Sequence, residues 1–227
     1  MKISIIIPTL NEANKILQTL KMIRQLVGDK EIIVADGGSS DDTITIAKTI
    51  EDVIVVNSHI GRANQMNTGA KVASGEVLLF LHCDSVLEPS ALIRIETTIA
   101  DTRIVGGCYT LKMDDNRLVF KFICLGSNIR ARLSKVFFGD QGIFVRKSVF
   151  DELGGFPAIE LMEDWEFSRK LREKGKTVQV TEGIITSTRR FKKGGVLKTC
   201  LFMHKLKILY LLGKTPAELK NKYYDVR

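Results

Sequence analysis

The chain has 227 residues, 44% of them hydrophobic, enough for one substantial core and too apolar for a disordered chain. Its formal net charge of +8 is terminal: residues 189–227 hold 11 of the 34 Lys+Arg and 2 of the 26 Asp+Glu, leaving the body near neutrality. No apolar run approaches the roughly 20 residues of a membrane helix, no leader-like start is present, and four scattered cysteines (83, 108, 124, 200) form no C-x-x-C pair, so the expectation is a cytoplasmic protein with free thiols.

In chain order, "KISIIIP", "KEIIVAD", "DVIVVN" and "GEVLLFL" are short β-branched or leucine-rich runs with little polar alternation, the pattern of strands buried on both faces. Between them "EANKILQTLKMIRQL", "SDDTITIAKTI" and "GRANQMNTGAKVA" read as helices. Such alternation predicts a parallel α/β sheet with right-handed crossovers. After Pro89 the spacing predicts a helix over 90–101, a strand over 103–113, a helix over 116–134, a strand over 140–146, a helix over 163–174 and a strand over 177–187. No Gly/Pro/Ser-rich linker divides the halves, so one domain is expected: a nucleotide-binding half (1–88), an acceptor or catalytic half (89–188) and a basic helical tail (189–227). The tail predicts an amphipathic helix over 195–212, docked on the sheet with its charges outward, and a shorter one opening near Pro216.

Ligands of open parallel α/β sheets bind at the carboxyl ends of the strands. That rule gathers Thr9, Asn11, Glu12, Asp36, Gly37, Gly38, Arg62, His82 and Asp84 on one rim. "PTLNEAN" lacks glycine, which excludes a G-x-G-x-x-G dinucleotide turn and a P-loop and disfavours a sugar-1-phosphate nucleotidyltransferase. The remaining possibility is a site that reads its ligand with side chains. Asp36 can accept from a base ring N–H, Glu12 from ribose or base, and Arg62 can bind a base carbonyl or a phosphate. Asp84 can supply the single carboxylate that a hard divalent ion on a diphosphate needs.

Those segments, with "GDQGIFVRKSVFDELGGF" and "LMEDWEFSRKLREKG", resemble the family 2 glycosyltransferases of GT-A fold, over nearly the whole chain. "TSTRRF", the glycine pair after it and the final "YYDVR" are similar to the small subfamily of radical-SAM/selenodomain-associated transferases 2. The resemblance implies a Rossmann-like, mostly parallel sheet flanked by helices and a nucleotide-diphospho-sugar donor, UDP favoured over GDP. It also implies a divalent metal, Mn²⁺ or Mg²⁺, and an unidentified acceptor. Pro8, Thr9, Asn11, Glu12, Asp36, Gly38 and Arg62 would bind the nucleotide, and Asp84 would be the metal ligand as the second acid of D-x-D. Asp164 would be the base of an inverting transfer, with Glu163 beside it. His82 stands where the first acid of D-x-D is usual and is read as an orienting or ribose-contacting residue.

Plainer roles compete. Asp41 and Asp42 read as helix caps, Cys83 as inert packing, and Glu163 and Asp164 equally as first-turn acids on a helix dipole. His59 and His204 read as surface or packing residues, with a metal-binding role from the C-terminal region the alternative for His204 that the resemblance implies. Asp140 and Gln141 are expected to face the sugar or acceptor, and Arg189 and Arg190 to bind a phosphate or simply to be solvated. The tail fits peripheral contact with the inner membrane surface, whereas no nucleic-acid module is present. A nucleotide-sugar-binding protein without transfer activity is the non-enzymatic alternative, against which both Asp84 and Asp164 are present.

Overall fold

A computed structural model describes residues 1–224. The first half runs β1 (Ile3–Thr9), α1 (Ala13–Arg24), β2 (Lys30–Asp36), α2 (Thr43–Lys48), β3 (Val53–Asn57), α3 (Arg62–Val72) and β4 (Val77–Phe80). The second runs β5 (Val86–Leu87), α4 (Ala91–Ile99), β6 (Ile104–Met113), α5 (Leu118–Ser134), a 3-10 turn (Gly139–Gln141), β7 (Ile143–Arg146), α6 (Lys147–Glu152), α7 (Glu163–Lys174) and β8 (Lys176–Thr186). The tail forms α8 (Arg189–Gly194), α9 (Val196–Leu211) and α10 (Pro216–Tyr224). Asp225 to Arg227, the end of "YYDVR", lie outside the described residues.

All eight strands join one sheet in the order β3-β2-β1-β4-β7-β6-β8-β5. Pairings among β1 to β4 are parallel, as the alternation predicts, and so is β6 with β8; β7 enters antiparallel between β4 and β6. The sheet is apolar on both faces because helices cover both. Ile3, Ile5 and Ile7 of β1 pack with Ile16, Leu20 and Ile23 of α1, whereas Ile6 packs with Ala63 and Met66 of α3. All of these isoleucines are fully buried, and each contributes about 2 kcal/mol of burial. Phe80, Phe150, Phe156 and Phe167 extend the α3 side as a ring cluster with centroids 4.3 to 5.7 Å apart.

Three local expectations shift. The strand predicted over 140–146 begins at Ile143, because residues 139–141 coil into a 3-10 turn closed by Gly142 at φ +61°. The two-residue β5 and the short α6 and α8, with too few residues for a periodic signal, are not read from sequence at all. The tail does not dock on the sheet with its charges outward: α9 lays Phe202, Leu206, Leu209 and Tyr210 on Phe138, Leu161, Met162 and Trp165, around the start of α7. Lys207 turns inward, while Leu197, Leu201, Ile208 and Leu211 stand in solvent. With apolar residues around most of its circumference, α9 cannot hide them all against one neighbour.

Candidate active site

The parallel register sets Thr9 opposite Asp36, so the ends of β1 and β2 meet side by side. Asp36 is 1% exposed. Its Oδ1 accepts the N–H groups of Gly38 (2.9 Å) and Ser39 (2.7 Å), and its Oδ2 accepts the hydroxyls of Thr9 (3.1 Å) and Ser39 (2.6 Å). All four acceptor positions of the carboxylate are thus used within the loop. The sequence reading gives Asp36 to a nucleotide base; here it organises the loop, and a base N–H would have to displace the hydroxyl of Thr9 or Ser39.

The neighbouring loop is tied in the same way. Asn11, at φ +55°, accepts the Ser40 N–H (2.9 Å) and donates its own N–H to Ser39 Oγ (2.8 Å). Glu12 donates its N–H to Thr43 Oγ1 (2.8 Å), and half-buried Pro8 lies opposite Ala35. Asp41 accepts from Ala13 N–H (3.1 Å) and Thr43 N–H (3.0 Å), capping α1 and α2 together, whereas Asp42 makes no side-chain cap bond. From α3, buried Gln65, which sequence reasoning missed, donates Nε2 to the carbonyls of Thr9 (2.6 Å) and Ala35 (3.2 Å). Gly38 lies at φ +95°, and a Cβ added there would meet nothing within 4 Å, so backbone strain alone opposes a side chain. Gly38→Ala is expected to cost about 1 kcal/mol in urea unfolding; an unchanged midpoint would show that the loop relaxes freely.

The second group of residues gathers at the start of α7. Asn67 of α3 clamps Phe156, donating to its carbonyl (2.8 Å) and accepting its N–H (2.9 Å), which fixes the loop ahead of α7 beside α3. Arg62, the first residue of α3, thereby reaches Glu163, Nη1 to Oε1 at 3.5 Å. Ser168 accepts the Phe137 N–H (3.0 Å), drawing the 3-10 turn onto α7 so that Gly139 N–H donates to Asp164 Oδ2 at 2.9 Å. Trp165 N–H donates to Asp164 Oδ1 at 2.8 Å. Glu163 and Asp164 are both buried.

Burial, then the adjacent Asp164, push the Glu163 carboxyl up to about 7, with Arg62 opposing. Burial likewise raises Asp164 against the opposing pull of the Gly139 N–H, Arg62 and Arg130, and raises Asp140 against Arg130. His82 sits against the turn, where a Cβ on Gly139 would lie 2.6 Å from its Nε2. Burial, then the charge of Arg62, push its imidazole down to about 3, so the ring is neutral and offers no cation to a diphosphate.

Sequence reasoning also missed Arg130, Phe138 and Lys207. Arg130 donates to the Val136 carbonyl (2.6 Å) and to Gln141 Oε1 (3.0 Å), and its guanidinium lies 4.0 Å from the centroid of the Phe138 ring. The Lys207 ammonium lies over the same ring at 4.8 Å, and burial lowers its pKa. Gln141, expected to face the sugar, is fully buried in the 3-10 turn as the partner of Arg130. Among the described residues, His82 Nε2, Arg130 Nε, Asp140 Oδ1 and Gln141 Nε2 are buried without a hydrogen-bond partner. Buried polar atoms are normally satisfied, so this concentration marks a place where a polar ligand can complete them.

Asp84, half-buried beyond β4, lines with Lys15, Thr19, Ser85, Asp114 and Thr186 a cleft of about 250 Å³. Among the described residues no three His, Cys, Asp or Glu converge as a metal cage. One accessible carboxylate still fits a divalent ion that shares its coordination with phosphate oxygens and water. His204 is exposed, Nδ1 2.8 Å from the Cys200 carbonyl oxygen, and is not brought to the site. The Cys83 thiol is buried and pushed up to about 12 by burial, an inert packing residue as read. Arg189 is exposed at the start of α8.

Comparison with known proteins places this geometry. Residues 4–157 match Glycosyl transferase family 2. The chain is 32% identical over 187 residues to a PGL/p-HBAD biosynthesis glycosyltransferase of Mycobacterium tuberculosis, covering 73% of this chain and 67% of that protein. It is 27% identical over 212 residues to the O-antigen chain rhamnosyltransferase RfbN of Salmonella typhimurium, covering 84% and 68%. Among solved structures it is similar to S. aureus TarS 1–349 in complex with UDP (TM-score 0.68, 19% identity), covering 82% of this chain and 60% of TarS 1–349. It is also similar to a mannosyltransferase of Pyrobaculum calidifontis in complex with GDP-Man and Mn²⁺ (TM-score 0.69, 19% identity), covering 95% and 66%. These structures share the GT-A arrangement of a mostly parallel sheet flanked by helices, here with four of seven strand pairings parallel.

Proposed function

Because the chain belongs to glycosyl transferase family 2, we propose that it moves a sugar from a nucleoside-diphosphate donor to an acceptor hydroxyl with inversion at the anomeric carbon, Asp164 acting as general base. The observation that carries this reading is the buried acid pair Glu163–Asp164, set against Arg62 beside the unsatisfied polar atoms of His82 and Asp140. A base must be held, desolvated and raised toward the working pH, and burial raises both acids. Asp164 is fixed by two backbone N–H groups and takes the acceptor proton; Glu163 anchors Arg62, and Arg62 orients toward the donor phosphates.

Residues 1–88 form the donor side, where the Asp36 network shapes the loop that meets the nucleotide, with Pro8, Thr9, Asn11, Glu12 and Gly38 at its rim. Asp84 would hold a divalent ion, which when bound offsets the charge of the departing nucleoside diphosphate. His82, neutral, contacts the donor through its unsatisfied Nε2. Residues 89–188 supply the acceptor side. UDP is the preferred donor nucleotide in this reading, which the complexes of TarS with UDP and UDP-GlcNAc support; the mannosyltransferase with GDP-Man makes GDP the comparison to run. "TSTRRF" and the glycine pair at Gly194 and Gly195 carry the finer reading of the chain as a radical-SAM/selenodomain-associated transferase 2.

Isothermal titration with UDP and with GDP, each with and without Mn²⁺, tests the donor site. One nucleotide is expected to bind in a metal-dependent way, and Asp84→Ala is expected to weaken that binding about tenfold or more. Binding of neither nucleotide by the folded protein would overturn the reading.

A further inference from the structure

Two helices of this chain keep apolar side chains in solvent along their length. On α5, Leu118, Phe122, Leu125, Ile129 and Leu133 are exposed at the spacing of one helical face, Phe122 by 69% and Leu133 by 77%. The opposite face buries Phe120, Cys124 and Ala131. On α9, Leu197, Leu201, Ile208 and Leu211 are exposed while Leu206 and Thr199 are buried. Single exposed leucines need no explanation, but two such stripes do.

The helices are neighbours. Phe120 of α5 meets Phe191 of α8, just ahead of α9, with ring centroids 5.8 Å apart, and Arg130 of α5 and Lys207 of α9 cover the same Phe138 ring. Residues 117–135 and 189–213 together contain 12 Lys+Arg and not one Asp or Glu; of these, Arg117 and Lys192 pair with Asp115, just ahead of α5, and Arg130 and Lys207 turn onto Phe138. Lys121, Arg132, Lys198 and Lys205 are exposed among the apolar residues.

We propose that α5 and α9 form a surface that lies on an anionic lipid bilayer, apolar side chains in the acyl boundary and cations among the headgroups. Apolar stripes interleaved with cations and free of acids are what interfacial binding requires. A second copy of the chain fits poorly, because a symmetric contact would bring these cations, with only Asp115 at their edge, against one another. No described helix is long and apolar enough to cross a membrane, so the contact is interfacial. The basic tail is then half of the surface; α5, outside the tail, supplies the longer stripe.

Co-sedimentation of the full chain with phosphatidylcholine vesicles, with and without phosphatidylglycerol, tests this at low and high salt. The protein is expected to pellet with phosphatidylglycerol vesicles, with partitioning reduced roughly tenfold at high salt and roughly tenfold by Phe122→Asp with Leu133→Asp. Leu201→Asp with Leu211→Asp is expected to act alike from the other helix, and circular dichroism with urea unfolding identifies any pair that disturbs the fold. Failure of the wild type to pellet at low salt would overturn the proposal, as would wild-type partitioning by both folded variants. A wild-type dimer in light scattering that these variants dissociate would also overturn it, making the face a contact between copies. Vesicle binding is read without any transfer assay, so the outcome is independent of the reading of Asp164.

Discussion

Asp164→Asn is expected to lower sugar transfer by about 10²- to 10⁴-fold, the usual contribution of a positioned general base, while donor affinity measured by titration stays within about twofold. The carboxylate is fixed by the N–H groups of Gly139 and Trp165, one on each oxygen. An amide can accept only one of them and must present its own NH₂ to the other, so the variant is also expected to lose about 1–2 kcal/mol of stability. A stability loss alone would scale down the active fraction without altering the pH profile. Loss of the base removes a limb of that profile: the wild-type rate rises as Asp164 deprotonates, on a limb displaced upward from the ordinary carboxylate range because burial raises the group. A folded Asp164→Asn protein retaining that limb, or losing less than about tenfold in rate, would assign the proton transfer elsewhere, with Asp140 the next candidate across the same cluster.

Much of residues 1–88 is legible in the sequence because its physics is local. "ISIIIPT" has no polar alternation since helices cover both faces of β1, and a strand of that kind in a βαβ repeat can only lie inside a parallel sheet. The position of the α7 acids is legible for a similar reason: Glu163 and Asp164 fall in the first turn of a helix whose start and end the structure reproduces, whereas the role proposed for them comes from the family resemblance. Less legible are contacts that depend on a distant partner. Nothing near Asp36 in the sequence says that the Thr9 hydroxyl will occupy one of its acceptor positions, and the parallel register alone decides it. Arg130 looks like a surface cation on a helix, and Lys207 like one of many in a basic tail, until folding brings both over Phe138. Gln141 is expected beside Asp140 at the ligand, but in the 3-10 turn it is fully buried on Arg130, a partner from a distant helix.

Glu163 gives the protein a pH dependence of unusual sign for a carboxylate. Its folded pKa is about 7 against an ordinary 4.5, so between those values the folded chain holds a proton that the unfolded chain has released. Its contribution to stability is therefore full below about pH 4.5, declines as pH rises and is gone above about 7. At about 1.4 kcal/mol per unit the upper limit is about 3 kcal/mol. His82 acts oppositely. Its imidazole is pushed from 6.5 to about 3, so the unfolded chain binds the extra proton and stability from this site rises with pH up to about 6.5. Glu31, pulled down to about 2, changes stability only as pH falls below about 4.5, outside the shared window. Between pH 4.5 and 6.5 the Glu163 and His82 slopes oppose each other, the raised Asp164 and Asp140 add to the falling side, and the Glu163 component is isolated by comparing wild type with a Glu163 variant in urea unfolding. Glu163→Gln removes the Glu163 contribution alone, so its stability relative to wild type is expected to climb by up to about 3 kcal/mol from pH 4.5 to pH 7. The opposing pull of Arg62 is already contained in the folded value near 7. Parallel profiles for variant and wild type would mean that Glu163 titrates in the ordinary carboxylate range, and the buried acid pair would then lack the desolvation on which its proposed role rests.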